Sequence, residues 1–185
     1  SSMVFTRNER NITLATMNEG REYVGTGTVD LAIQNRFEDV KLLPPLTSTV
    51  RTIVSSKGCD ANVVEKLGEV YFAVMVSKIY DKKTAVIKME KAFGIQSDRT
   101  RKLSDKAIED IFKASAMLPA ETVSIRRLEK VAAKCALGVA ESVAFRQGLF
   151  NQFTDYADQR TGFNPANAFC NLIDHTAPTT QKGWC

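Results

Sequence analysis

The sequence predicts a mainly α-helical protein: two duplicated helical units related by a pseudo-twofold, preceded by a short N-terminal β-hairpin. Three observations carry that prediction. Apolar residues recur at three- and four-residue spacing after Pro44-Pro45, an internal repeat returns after about 75 residues, and strand-like alternation is confined to the first forty positions. The expected organisation is an N-terminal hairpin or arm over 1–41, a duplicated body over 42–171 with units 42–95 and 117–171, and a C-terminal tail over 172–185.

In chain order, Asn11 to Thr16 alternates roughly, Asn18-Glu19-Gly20 signals a turn, and Glu22 to Val29 is rich in β-branched residues. Gly25 and Gly27 in the second strand suggest a bulge or a close backbone approach. Val63, Val64, Leu67, Val70, Tyr71, Val74, Met75 and Ile79 then form an amphipathic stripe of about five helical turns. Ser104 is placed to cap a second helix carrying Ile108, Ile111, Phe112 and Ser115. A third helical stretch is expected from Thr122 toward Phe153, with Gly138 and Gly148 as breaks. Beyond Gly162 the Pro and Thr content predicts an extended, docked tail.

Composition bounds the chemistry. The 185 residues carry 25 Lys+Arg against 21 Asp+Glu, with 44% hydrophobic and 25% charged residues, the balance of a folded globular chain rather than a disordered tail. The apolar run Tyr71 to Val76, which Val70 extends by one residue, falls far short of the roughly 20 residues a bilayer span needs. One histidine, His175, excludes a three-His zinc centre or an HExxH site. Residues 1–40 hold four basic and six acidic side chains, whereas 78–106 hold nine basic and four acidic, an excess that points to an acidic partner or to a solvated surface. Ser1-Ser2 ahead of Met3 reads as a tag scar or a processed end.

The repeat pairs Leu42 to Ile53 with Met117 to Leu128: Leu43, Pro44, Thr47 and Arg51 recur as Leu118, Pro119, Thr122 and Arg126. One residue of slippage later, Cys59, Val63 and Glu65 recur as Cys135, Val139 and Glu141. Tyr80 then meets Tyr156, and Ala92-Phe93 meets Ala168-Phe169. Two like helix starts of Pro, Thr and an apolar stripe are the simpler alternative. If the duplication holds, an approximate twofold lets one surface patch serve both copies.

Cys59 and Cys135 fall at equivalent positions of that repeat, eight or nine residues after Arg51 and Arg126. Free cysteines are commonly small buried hydrophobes. The sharper reading is a pair of covalent attachment points, with Arg51 and Arg126 clamping carboxylates of the ligand and Asp60, Asp81, Asp155 or Asp158 accepting from pyrrole nitrogens. Cys170 and Cys185 break the repeat. With His175 they fit no established zinc spacing, and a Cys-His hydrolase lacks a visible oxyanion loop. Asp105, Glu109 and Asp110 read as a solvated face, and Trp184 as a tail anchor.

A mildly basic, helical chain with a duplicated unit and a cysteine in each copy resembles the gamma subunit of red-algal phycoerythrins, the chromophore-bearing linkers of the phycobilisome. That resemblance implies a light-harvesting linker and not an enzyme. It implies open-chain tetrapyrroles (phycoerythrobilin or phycourobilin) in thioether linkage to Cys59 and Cys135, with Cys170 and Cys185 as further sites. It implies a ring of acidic phycobiliprotein alpha and beta subunits as partner, no nucleic acid, and a place on the stromal side of the chloroplast thylakoid, peripheral to the membrane. Asp60 and Asp158 are the expected pyrrole contacts. The alternative is a helical RNA-binding or nucleocapsid-like protein, cytoplasmic or in a virion, resting on the basic stretch 78–106 and the aromatics Tyr71, Phe72, Tyr80 and Phe93.

Overall fold

A computed structural model describes residues 44–94 and 103–176. The chain divides into two units at Leu43–Pro44, and the described residues all belong to the second. The expected hairpin over Ile12–Val29 therefore lies outside the described residues, as do Arg99, Arg101 and Lys102 of the basic stretch, Trp184 and Cys185.

The described residues are helical, with no strand longer than the isolated bridges Gly94–Leu103 and Asp158–Phe163. The helices are α1 (Thr47–Ser55), α2 (Ala61–Ile79), α3 (Lys82–Phe93), α4 (Asp105–Met117), α5 (Ile125–Ala136), α6 (Glu141–Phe145), α7 (Asn151–Phe153) and α8 (Pro165–Thr176). A 3₁₀ turn (Ala120–Val123) precedes α5, a π turn (Arg146–Phe150) joins α6 to α7, and a further 3₁₀ turn (Thr154–Tyr156) follows.

Helix α2 is the axle. Val63, Val64, Leu67, Val70, Tyr71, Ala73, Val74 and Val76 are all buried, because α1, α3, α4, α5 and α8 each pack on it. A helix with apolar residues around most of its circumference must be enclosed. The Tyr71 hydroxyl donates to the Pro45 carbonyl (2.8 Å) and ties the start of α1 to this axle. The expected capping by Ser104 is present: its Oγ accepts from the Ala107 amide at 3.3 Å. Helix α4 then buries Ile108, Ile111 and Ala114 against α8 and α2. At the other end Phe145, Phe150, Phe153 and Phe169 form a chain of ring contacts, with centroids 6.1, 5.8 and 4.9 Å apart in succession.

Two expectations are corrected. From Pro165 to Thr176 the chain is not extended: Pro165 opens α8, which buries Ala168, Phe169, Leu172 and Ile173, and the rest of the expected tail lies outside the described residues. Proline is favoured in the first helical turn, where its missing N–H costs nothing. Gly148 does not break the third stretch either. It sits in the π turn, where a Cβ would overlap the Val131 side chain, so glycine is there to let the turn approach α5.

Local geometry recurs, but in a different register from the sequence repeat. Helices α1 and α5 are each followed by a glycine of positive φ, Gly58 at 78° and Gly138 at 85°, and the next helix starts at Ala61 or Glu141. Gly68 and Gly148, ten residues after those glycines, each lie against a side chain of the helix before those glycines, Arg51 of α1 and Val131 of α5. Asp81 and Asp158 then build the same turn. Each accepts from a threonine hydroxyl three residues on (Thr84 and Thr161, both 2.6 Å) and from that residue's amide. The spacing between the paired glycines is 80 residues, not 76. Cys59 therefore follows its glycine in a loop, whereas Cys135 precedes its glycine inside α5, and the two thiols are not on equivalent elements.

Candidate functional site: a basic groove on α5

Helix α5 is sharply two-sided. Leu128, Val131 and Ala132 enter the core, while Arg126, Arg127, Lys130 and Lys134 share the other side at three- and four-residue spacing. Those four cations line a groove of about 440 Å³, together with Ser124, Val131, Gln147, Gly148 and Gln152. Among the described residues no carboxylate lines it. The acid of this helix, Glu129, is turned to the other flank and pairs with Lys57 at 2.8 Å.

The opposite wall comes from the π turn and α7. Because Gly148 has no side chain, that wall closes directly onto Val131 and brings Gln147 and Gln152 to face the cations. Lys134 Nζ donates to Gln147 Oε1 at 2.9 Å, and Gln152 Nε2 donates to the Gly148 carbonyl at 3.4 Å. Ser124 precedes α5 without capping it, leaving its hydroxyl free of that task. Clustered cations beside amides that accept or donate are the kind of surface that can meet an extended polyanion. Sequence reading missed this groove by weighing the longer basic run 78–106. The signal was present as Arg126, Arg127, Lys130 and Lys134 in helical phase.

In the run 78–106 three of the described lysines have partners within the fold. Lys78 donates to the Ala116 carbonyl (2.8 Å), Lys88 lies over the Tyr80 ring at 4.5 Å, and Lys82 stands 3.8 Å from Glu109.

Of the residues expected to hold a tetrapyrrole, Cys59 and Cys135 come within electrostatic reach of each other and of Glu141, while the others lie on separate elements. Cys59 lies in the α1–α2 loop, half-buried, with Sγ 3.8 Å from the Val54 carbonyl it donates to. Cys135 lies half-buried in the last turn of α5. Both are free thiols. Burial first, and then nearby negative charge including Glu141, raises both thiol pKa values, that of Cys135 to about 11. Cys170 is buried in α8 and disulfide-bonded, so its sulfur is engaged.

Arg51 reaches across Gly68 to Glu65, with Nη2 2.9 Å from Oε2, whereas Arg126 opens onto the groove. Asp60 caps α2 by accepting from the Asn62 amide at 2.7 Å. Asp158 accepts from Thr161 and from the Arg160 amide (3.0 Å), and the Thr161 hydroxyl chiefly holds its pKa below the usual range. Both carboxylates are thus occupied in shaping backbone.

Lys66, whose charge acts on Cys135, is wholly buried. Its ammonium pairs with Glu141 at 2.5 Å, and Asn62, with its amide turned to suit both neighbours, accepts from it at 2.8 Å. No group of three or more metal-ligating side chains occurs among the described residues, and no described helix is long and apolar enough to cross a membrane. Compared with known proteins, the chain matches no family model, no curated protein and no solved structure.

Proposed function

We propose that this protein binds single-stranded nucleic acid, gripping the phosphate backbone in the α5 groove, as a helical RNA-binding or nucleocapsid-like protein does. The observation that carries the reading is the set Arg126, Arg127, Lys130 and Lys134 lining one groove, with no carboxylate among the described residues of its walls. Phosphate binding needs cations in that density and an absence of competing acids. The π turn that forms the far wall is an irregularity often found where a helix serves a site. Fluorescence anisotropy of a labelled single-stranded oligonucleotide, titrated with the full chain at several salt concentrations, tests it. Salt-dependent binding lost on reversing the charge of Arg126 and Lys130 is expected, and binding untouched by that change overturns the reading.

The light-harvesting linker is the second reading, and the observation in its favour is that Cys59 and Cys135 are both free and half-buried rather than sealed in the core. A bilin thioether on either requires the thiolate to form in a site that raises its pKa. Mass spectrometry of the cysteine-containing peptides from native protein decides: a tetrapyrrole adduct supports the linker, and unmodified thiols on both exclude it. We also read the recurring glycine and Asp–Thr geometry as the trace of a duplication, with units aligned by Gly58–Gly138 and Gly68–Gly148 rather than by the cysteines.

A further inference from the structure

A second cavity, of about 400 Å³, opens between α1, α2 and α3. Its walls divide by chemistry. Phe72, Phe93, Leu46 and Ala92 supply apolar surface, and Thr47, Ser48, Arg51 and Glu69 supply hydrogen-bonding groups. The Phe72 and Phe93 rings meet edge to face at 5.7 Å and 89°, which fixes the Phe72 ring plane, and Phe72 itself is only half-buried. An aromatic face held in this way is a stacking platform.

The polar side selects against a phosphate. Arg51 already pairs with Glu65, outside the cavity, and Glu69 puts a carboxyl at the wall, tethered by the Thr176 hydroxyl that donates to it. The site therefore combines guanidinium donors, hydroxyls and a carboxyl acceptor without a net positive charge. An aliphatic ligand leaves all of these unanswered, and an anion meets the Glu69 carboxyl beside an arginine that is already paired. A flat heteroaromatic ring with acceptor and donor atoms side by side on its edge answers each of them.

We propose that this cavity binds an unpaired nucleobase, stacked on Phe72 and read at its edge by Arg51 and Glu69. The proposal deepens the nucleic-acid reading: the α5 groove takes the backbone of a strand, and this cavity takes a base. Guanine fits the polar wall best, since its O6 and N7 accept from an arginine while N1–H and the 2-amino group donate to a carboxyl.

The probe is a set of nucleosides, which carry no phosphate and so bypass the α5 groove. Amide and side-chain NMR shifts of the full chain are followed with guanosine, cytidine, adenosine or uridine added, each to the limit of its solubility. Guanosine is expected to shift resonances of Thr47, Ser48 and Ala92 and to bind most tightly. Phe72→Ala is expected to weaken it about tenfold or more, the scale of a lost stacking contact. Because Phe72 also packs on Phe93, the surface change Ala92→Phe, which fills the cavity, is the companion variant and is expected to abolish binding. Charge reversal of Arg126 and Lys130 should leave nucleoside binding intact. No shift with any nucleoside, shifts remote from this cavity, or binding unchanged in Ala92→Phe overturns the proposal. Nucleoside binding that persists while oligonucleotide binding ignores the α5 charges leaves the base site standing and removes the backbone groove.

Discussion

Neutralising the α5 groove should change how binding responds to salt, and the size of the change follows from the geometry. Arg126 to Lys134 spans eight helical rises, about 12 Å at roughly 1.5 Å each. A strand advancing about 3.4 Å per nucleotide lays some three to four phosphates along that length, enough to engage all four cations. Lys134 also serves Gln147, but an ammonium has three donors and can keep that bond while meeting a phosphate. With four contacts and a slope of about −0.7 per contact for single strands, log K should fall with log salt at about −3. Between 50 and 200 mM salt that is a loss of about fiftyfold. Changing Arg126 and Lys130 to Gln leaves two contacts, a slope of about −1.4, and a loss of only about sevenfold over the same interval. Anisotropy titrations at four or five salt concentrations give both slopes, and circular dichroism checks that the helices survive. A slope still near −3 in the double variant, or shallower than about −1 in the parent, refutes the reasoning.

Three further outcomes follow from the packing. Glu141→Gln should destabilise the fold by about 1–3 kcal/mol, because it removes the opposite charge from wholly buried Lys66 while Asn62 still supplies a neutral acceptor; urea unfolding compares variant and parent, and equal stability of the two contradicts a net contribution from the buried pair. Gly148→Ala should cost about 1–3 kcal/mol, since its Cβ overlaps the stiff Val131 side chain; a thermal melt that does not move shows that the turn can retreat. Burial raises the pKa of Glu69, so the folded state prefers its protonated form. That contribution is complete below the ordinary carboxyl pKa and is lost as pH rises through the raised value. Glu69→Gln, which can still accept from Thr176, should then be more stable than the parent at neutral pH and flatten the fall of stability above about pH 4; parallel pH profiles for the two proteins speak against it.

What the sequence determined by itself was local: helical periodicity over 63–79, the cap at Ser104, and the chain reversal at Gly138 are all set by neighbours within a turn or two. Helix α8 escaped because Pro and Thr near a chain end read as loop, yet burial of Phe169 and Leu172 against α4 and α2 overrides that local tendency. The tertiary structure decided everything that depends on which side chains meet. Arg51 and Arg126 look alike in sequence, but one is drawn onto Gly68 and Glu65 while the other opens into a groove. Cys59 and Cys135 align by residue counting, but a four-residue difference relative to the two glycines puts one in a loop and the other in a helix. The basic groove itself needs a wall 13 to 26 residues further along the chain from its cations, brought in by a glycine whose only virtue is the atoms it lacks. Composition and periodicity are fixed by the chain, but charge density in a groove is a property of where distant segments are packed, and only folding assigns it.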